Sequence, residues 1–175
     1  MGEICQLETG DVVEVDGVTC IRISESSADD GEIRKQLKTE GSRRGVPLHS
    51  HLLSLGDGGF MAYVAQQRAK GSRRLFPQVR QQYDQSAGAP VSQWFGRWKK
   101  RKGITSPRKV LHSMRHTVST RLKDLDVQEA TIAEIVGHEN QNITTGRYGK
   151  KLAVGRLRDA IELLNFREGL RNLGA

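Results

Sequence analysis

Two adjoining helical patterns within residues 111–137 constrain the fold of this chain more than any other stretch. In the first pattern, apolar residues recur at helical spacing, at Val118, Leu122 and Leu125. This spacing predicts a helix that begins near Ser113 and buries its apolar side. The second pattern covers residues 130–136 and stops at Gly137, a favoured helix terminator. A chain that contains both patterns needs a helical core.

Four side chains with chemical capability lie on or beside these helices, namely His112, Arg115, His138 and Tyr148. His112 and Arg115 are three positions apart, so a helix places them on one face. His138 directly follows the glycine that ends the second pattern. Arginine offers a planar fork for phosphate oxygens, histidine a donor or proton shuttle near neutral pH, and tyrosine a nucleophile. The combination predicts phosphoryl transfer without a metal.

The charge of the chain suits a polyanionic partner. Its 175 residues carry a formal net charge of +8, and a basic surface attracts nucleic acid. No apolar run approaches the length of a membrane span, and the N-terminus lacks the pattern of a secretory signal. Cys5 and Cys20 form neither a disulfide framework nor a metal-binding spacing. We therefore expect a cytoplasmic protein with reduced thiols.

The N-terminal part predicts a small sheet. Residues 12–24 contain two β-rich runs on either side of Asp16-Gly17, which is typical of a two-residue hairpin turn. A further strand pair is predicted at 33–37 and 45–48. From His49 onward the patterns are helical. The predicted fold class is α+β, mostly α-helical, with a small three-stranded antiparallel sheet near the N-terminus.

We expect one domain over residues 1–175. It would consist of a β-rich part at 1–48, a helical core with the site at 49–150, and a C-terminal helix and tail at 151–175. Inside the helical core, Ser92 is a candidate helix cap. The aromatic residues that follow it share one face and are expected in the core rather than as platforms for base stacking: Trp94, Phe95 and Trp98.

Several sequence boxes, in this order, resemble the catalytic domain of the tyrosine recombinase (phage integrase) family. HSMRHT at 112–117 is similar to the H-x-x-R-H signature of the family. VGHENQNITTGRY at 136–148 is similar to its later G-H box, which ends in the nucleophilic tyrosine. KTEGSRRGVPLH at 38–49 resembles its strand turn with a catalytic lysine, and LFPQ and VSQWFGRWKKRKGI also match in place. The resemblance covers about residues 3–165.

The resemblance implies a role for each matched residue. Tyr148 would attack the scissile DNA phosphodiester and form a 3′-phosphotyrosyl link, while Lys38 would protonate the departing 5′-oxygen. Arg115 would hold the non-bridging oxygens. His112 and His138 would assist through hydrogen bonds and proton handling, and His116 is expected to be a structural partner of the site. No metal and no cofactor are implied, because the covalent link retains the energy needed to rejoin the strands.

The implied partners are double-stranded attachment-site DNA and further copies of the chain in a synaptic tetramer. The basic residues expected to contact DNA are Arg43, Arg44, Lys99, Lys100, Arg101, Lys102 and Arg147. An amphipathic C-terminal helix at 152–165 is predicted to dock on a neighbouring subunit through its apolar face. The host compartment would be the cytoplasm of a bacterium, with the gene of bacterial or phage origin.

One departure concerns the first arginine of the family, which precedes a glutamate by three positions. Here the glutamate matches Glu3, so the arginine would fall immediately before Met1. The usual N-terminal DNA-binding domain is also absent from this sequence. We therefore expect a fragment of a longer integrase, or a decayed prophage copy, without full recombination activity. The spacing from His138 to Tyr148 is also one residue longer than the commonest pattern.

Other interpretations stay open. Residues 113–136 also outline a helix-turn-helix reader, which would make the chain a DNA-binding module without chemistry. A metal site would need a carboxylate or an H-E-x-x-H motif, which do not accompany the candidate set of His112, His116 and His138. For the lysine role, the neighbouring alternatives to Lys38 are Lys35, Arg43 and Arg44.

Overall fold

The computed structural model describes residues 2–25, 35, 37, 42–55, 58–79, 88–137 and 152–165. Within these ranges, seven helices and one sheet form the fold. In chain order, the elements are α1 (Gly2–Cys5), β1 (Val12–Val15), β2 (Val18–Ile23), β3 (Arg44–Pro47), α2 (Ser50–Leu53), α3 (Gly59–Ala69), α4 (Ala89–Arg101), α5 (Leu111–Asp124), α6 (Glu129–Val136) and α7 (Val154–Glu162). None of these helices combines the length and the apolar character that a membrane span requires. The predicted fold class is confirmed.

The sheet is antiparallel with strand order β1-β2-β3. Asp16 and Gly17 join β1 to β2 with φ angles of 50° and 73°, the left-handed backbone that a type I′ hairpin turn requires. The predicted hairpin is therefore confirmed, and β3 confirms the strand predicted at 45–48. The strand predicted at 33–37 falls largely outside the described residues.

The N-terminus of α4 differs from the prediction. The helix begins at Ala89, after Gly88, and Pro90 lies in its first turn. Proline suits this position because its missing N–H would have no partner within the helix and its φ is already helical. Ser92 lies inside the first turn, where its N–H bonds to the Gly88 carbonyl at 3.0 Å. The prediction of Ser92 as the cap is wrong.

The helices α5 and α6 occupy the two predicted segments. α5 begins at Leu111, two residues before the predicted start. Leu122 is fully buried, whereas Leu125 is 45% exposed because the helix ends one residue before it. Gly137 terminates α6 with a φ of 70°, as predicted.

Two apolar clusters hold these elements together. The first joins α5, α6 and α7 through Leu122, Ile132, Ile135, Val136, Leu157, Ala160, Ile161 and Leu164. The second lies against the sheet and α3 and contains Leu7, Val12, Ile23, Val64 and Leu75. Val46 of β3 packs against both clusters. Val46 is partly buried, and its contacts with both clusters join the sheet to the helices.

The apolar face of α7 is covered by the chain itself. Leu157 and Ile161 of the helix are 2% and 7% exposed, and Leu164, which follows the helix, is 6% exposed. The end of the helix is also tied to α2, since Glu162 accepts hydrogen bonds from the backbone N–H and the hydroxyl of Ser50, each at 2.7 Å. The prediction of subunit docking rested on this face, and the structure gives it no support.

Candidate active site

α5 places two of the predicted catalytic side chains, His112 and Arg115, at one end of the helical core. His112 lies in the first turn of the helix and is exposed, and Arg115 follows on the next turn, partly buried. The His112 ring meets the His116 ring edge-on, with 4.9 Å between centroids and an interplanar angle of 86°. His116 therefore contacts His112 directly, and its role as a structural partner of the site stays a prediction.

The Arg115 guanidinium is anchored through one of its terminal nitrogens. Its Nη2 donates to the Gly137 carbonyl at 2.8 Å. Its Nε is buried and has no hydrogen-bond partner among the described residues. Burial and the positive charge of Arg44 lower the pKa of Arg115, while the charge of Glu3 opposes that change. A buried donor without a partner costs about 1–3 kcal/mol, so this guanidinium has hydrogen-bonding capacity that the described residues do not use.

The C-terminus of α6 supplies the backbone acceptors of the site. The Ile135 carbonyl accepts from Arg44 Nε at 3.3 Å, while the Gly137 carbonyl binds Arg115. Carbonyls at a helix C-terminus lack intrahelical partners and carry partial negative charge, so they suit two guanidinium groups. A Cβ on Gly137 would lie 2.6 Å from Arg44 Cζ. This position thus needs glycine for its left-handed backbone and for the close approach of Arg44.

Arg44 links three separate elements of the fold. Its Nη1 and Nη2 donate to Glu3 Oε1 and Oε2 at 3.0 and 2.9 Å, a bidentate pair. Nη1 also donates to the Ser42 carbonyl at 2.9 Å. Burial raises the pKa of Glu3, but the hydrogen bond and charge of Arg44, with the charge of Arg115, outweigh it and leave that pKa below its usual value. Arg44 was predicted to contact DNA, but its side chain is 10% exposed and bonds within the protein.

The structure gives little support to Lys35 as an alternative for the lysine role. Lys35 Nζ lies 2.6 Å from Asp11 Oδ2 and 3.1 Å from Glu8 Oε2, and the Lys35 and Asp11 side chains are 9% and 3% exposed. An ammonium held between two carboxylates at a buried position is poorly placed to protonate a leaving oxygen. Arg43 is exposed and pairs with Glu25 at 2.8 Å.

The basic run at the end of α4 divides into one buried residue and three exposed ones. Lys99 is 8% exposed, and its ammonium donates to the carbonyls of Ser106 and Lys109 at 2.9 and 2.8 Å. The predicted DNA contact by Lys99 is therefore not supported, because its charge faces the protein. The exposed residues of the run are Lys100, Arg101 and Lys102. Their contact with DNA stays a prediction.

The aromatic residues of α4 stack on one another outside the two apolar clusters. Trp98 lies 6.3 Å from Trp94 and 5.6 Å from Phe95 between ring centroids. Trp94 is 50% exposed. They share one face, as predicted, but the expectation that Trp94 lies in the core is wrong.

Four predicted site residues fall outside the described part of the chain: Lys38, His138, Arg147 and Tyr148. Their placement beside Arg115 stays a prediction. The site residues that sequence reasoning missed in their structural roles are Glu3 and Arg44. The sequence did single out Glu3, because it matches the glutamate of the family's arginine-glutamate pattern. Its pairing with Arg44 could not be predicted, because the two residues are 41 positions apart.

Comparison with known proteins gives one result for the family. The sequence profile of the phage integrase family matches residues 1–153. Neither the curated proteins nor the solved structures contain a match. The matched region includes α5, α6 and the segment that leads to Tyr148. The chain therefore belongs to the phage integrase family of tyrosine recombinases.

Proposed function

We propose that this chain carries the catalytic machinery of a site-specific DNA recombinase that cuts and rejoins strands through a 3′-phosphotyrosyl intermediate. The observation that carries the proposal is the guanidinium of Arg115, which is anchored to Gly137 and whose buried Nε has no partner within the described residues. Family membership supports a tyrosine-based strand transfer. The arrangement around Arg115 supports the binding of an oxyanion such as a DNA phosphate.

In the proposed reaction, the Tyr148 oxygen attacks phosphorus and the bond to the 5′-oxygen of the next nucleotide breaks. Lys38 gives a proton to the departing 5′-oxygen, and the tyrosine proton passes to a nearby base such as His138 or to solvent. Rejoining reverses these steps, with a 5′-hydroxyl attacking the phosphotyrosyl bond. Negative charge develops on the non-bridging oxygens, where fixed donors such as Arg115 and His112 stabilise it most effectively.

The pairing of Arg44 with Glu3 supports this role for Arg115. Two guanidinium groups close together repel one another, and Arg44 contributes to the lowered pKa of Arg115. The bidentate bond to Glu3 neutralises Arg44 and uses both ends of its fork. Arg115 consequently remains the cation with a donor still to satisfy in the described part of the site.

The partner proposed for this chemistry is double-stranded attachment-site DNA, with self-association of the chain in a synaptic tetramer. The exposed cations at the end of α4 support DNA binding: Lys100, Arg101 and Lys102. Because the apolar face of α7 is buried in the chain, we propose that the subunits contact one another through other surfaces. Such an enzyme would work in the cytoplasm of its bacterial host.

The alternative of a helix-turn-helix reader has weaker support. The turn between α5 and α6 is short enough for that motif, and α6 would be its recognition helix. Five of the eight residues of α6 are buried: Thr131, Ile132, Ala133, Ile135 and Val136. A recognition helix needs a broad exposed face for the major groove, which α6 does not offer.

Covalent trapping tests the proposal. Nicked suicide duplexes that carry the attachment site would be incubated with the chain, with Tyr148→Phe and with Arg115→Gln. We expect SDS-resistant adducts from proteins that keep Tyr148, none from Tyr148→Phe, and a loss of about a hundredfold or more in Arg115→Gln. Salt-sensitive binding without any adduct would favour the non-catalytic reading.

A further inference from the structure

Residues 103–110, which we call the α4–α5 loop, lead directly into the helix that carries His112 and Arg115. Most residues of this loop are exposed, and only Ile104 and Ser106 are partly buried. No residue of the loop belongs to either apolar cluster. Apolar packing therefore contributes little to its conformation.

One residue of α4 holds this loop along most of its length. The backbone carbonyl of Lys99 accepts a hydrogen bond from the Ile104 N–H at 2.8 Å. Its ammonium donates to the Ser106 carbonyl at 2.9 Å and to the Lys109 carbonyl at 2.8 Å. Three bonds from one residue thus reach from the beginning of the loop to its end.

The start of α5 has no side-chain cap of its own. Val110 occupies the cap position and makes no side-chain capping bond. The Ser113 hydroxyl bonds to the Val110 carbonyl at 2.5 Å, which is a contact within the same turn. Among the described contacts, the bond from Lys99 to Lys109 is the anchor to another helix that lies immediately upstream of His112.

Neither contact with DNA nor apolar packing explains why the Lys99 side chain is buried at this position. Lys99 is 8% exposed, and the segment that it holds carries further exposed cations, which disfavour another positive charge: Arg101, Lys102, Arg108 and Lys109. An apolar side chain would avoid that repulsion but would remove the donor from two carbonyls. The ammonium, with its three N–H donors, serves both.

We infer that Lys99 is a positioning residue, whose ammonium fixes the α4–α5 loop and thereby the first turn of α5. Through that turn it sets His112 and Arg115 against the scissile phosphate. The catalytic half of this inference rests on the proposed function. The structural half, that Lys99 orders the loop, does not depend on the proposed function.

The kinetic test compares Lys99→Met with Lys100→Met in the full chain. Methionine keeps the length of the stem and removes the charge. For Lys99→Met we expect an adduct rate at saturating DNA that is lower by about tenfold or more, because small displacements of catalytic groups are costly. Its DNA affinity should change less than about twofold, since the ammonium faces the protein. For Lys100→Met, the larger effect should be in affinity. A Lys99→Met protein that loses affinity at an unchanged adduct rate would overturn the inference.

Hydrogen exchange tests the structural half without any reaction. In Lys99→Met, amides of residues 104–113 should exchange at least about tenfold faster than in the unchanged chain, while those of α6 should keep their rates. Lys99→Arg should restore part of the protection, because a guanidinium can also donate to two carbonyls. Unchanged exchange at 104–113 would overturn the inference even if no protein formed an adduct, and faster exchange would support it when the proposed reaction fails. Circular dichroism would verify that each variant folds.

Discussion

Arg44 donates two parallel hydrogen bonds to Glu3, at 3.0 and 2.9 Å, across 41 positions of sequence. The pair connects α1 to β3, and a third bond from Arg44 to the Ile135 carbonyl adds the end of α6. It therefore fixes the backbone from which the Gly137 carbonyl holds Arg115. The contribution of this connection to the free energy of unfolding can be measured.

Replacing Arg44 by methionine should destabilise the fold by about 2 kcal/mol. The substitution leaves the Glu3 carboxylate partly buried without its partner, and removing one member of such a pair costs more than the pair itself contributes. Urea unfolding would measure the change. Arg43→Met is the matched control, since the Arg43 side chain is 52% exposed and a surface pair contributes about 0–1 kcal/mol. Equal losses in the two variants would contradict the account.

Stability should depend on the charge of Glu3 in the acid range. Because the pKa of Glu3 is lowered in the fold, its contribution is present above the unfolded value. It is lost as the pH falls through the lower folded value. Urea midpoints of the unchanged chain and Glu3→Gln should therefore differ at pH 7, and the difference should shrink below pH 4.5, the ordinary pKa of a glutamate. A difference that stays constant from pH 7 to pH 3 would rule out this linkage.

Gly137→Ala should cost more stability than an alanine at another left-handed glycine. Both Gly137 and Gly71 have positive φ, 70° and 65°, which costs an L-residue about 1–2 kcal/mol. At Gly71 a Cβ meets nothing within 4 Å, whereas at Gly137 it would displace Arg44. We expect Gly137→Ala to lose about 1 kcal/mol beyond Gly71→Ala in urea unfolding. Similar losses of stability in the two variants would show that Arg44 can move away from an added Cβ without destabilising the fold.

DNA binding should weaken steeply with salt, in part through the exposed cations of α4. Each neutralised phosphate contributes a slope of about −0.9 to the dependence of log K on log salt. Replacing Lys100, Arg101 and Lys102 together by glutamine should reduce the magnitude of the slope by about 2–3. Fluorescence anisotropy at 50–300 mM salt, roughly the range in which such slopes are resolved, would measure it. A flat response in the unchanged chain would argue against a DNA role.

The parts of the fold with local signals were predictable from the sequence. Asp16-Gly17 specified the hairpin because few residue pairs adopt its backbone, and Gly137 ended α6 because glycine tolerates positive φ. The three-residue spacing of His112 and Arg115 placed both on α5. These features depend on neighbours in sequence alone.

The features that the sequence concealed depend on contacts between distant elements. Lys99 belongs to a run of four cations that suggests one solvated face, yet helical rotation turns it inward toward the α4–α5 loop. Arg44 carries the same charge as an exposed DNA contact and is instead paired with Glu3. Side-chain type indicates the charge, whereas tertiary packing decides whether that charge meets solvent or another residue.

The decisive measurement identifies the residue of the chain that carries DNA in the trapped adduct. After nuclease and protease digestion of the adduct, mass spectrometry would identify the peptide and the residue that carry the nucleotide. We predict a phosphotyrosyl nucleotide on Tyr148, linked through the 3′-phosphate, with a free 5′-hydroxyl on the other DNA end. A nucleotide on another residue, or a 5′-phosphate linkage, would contradict it.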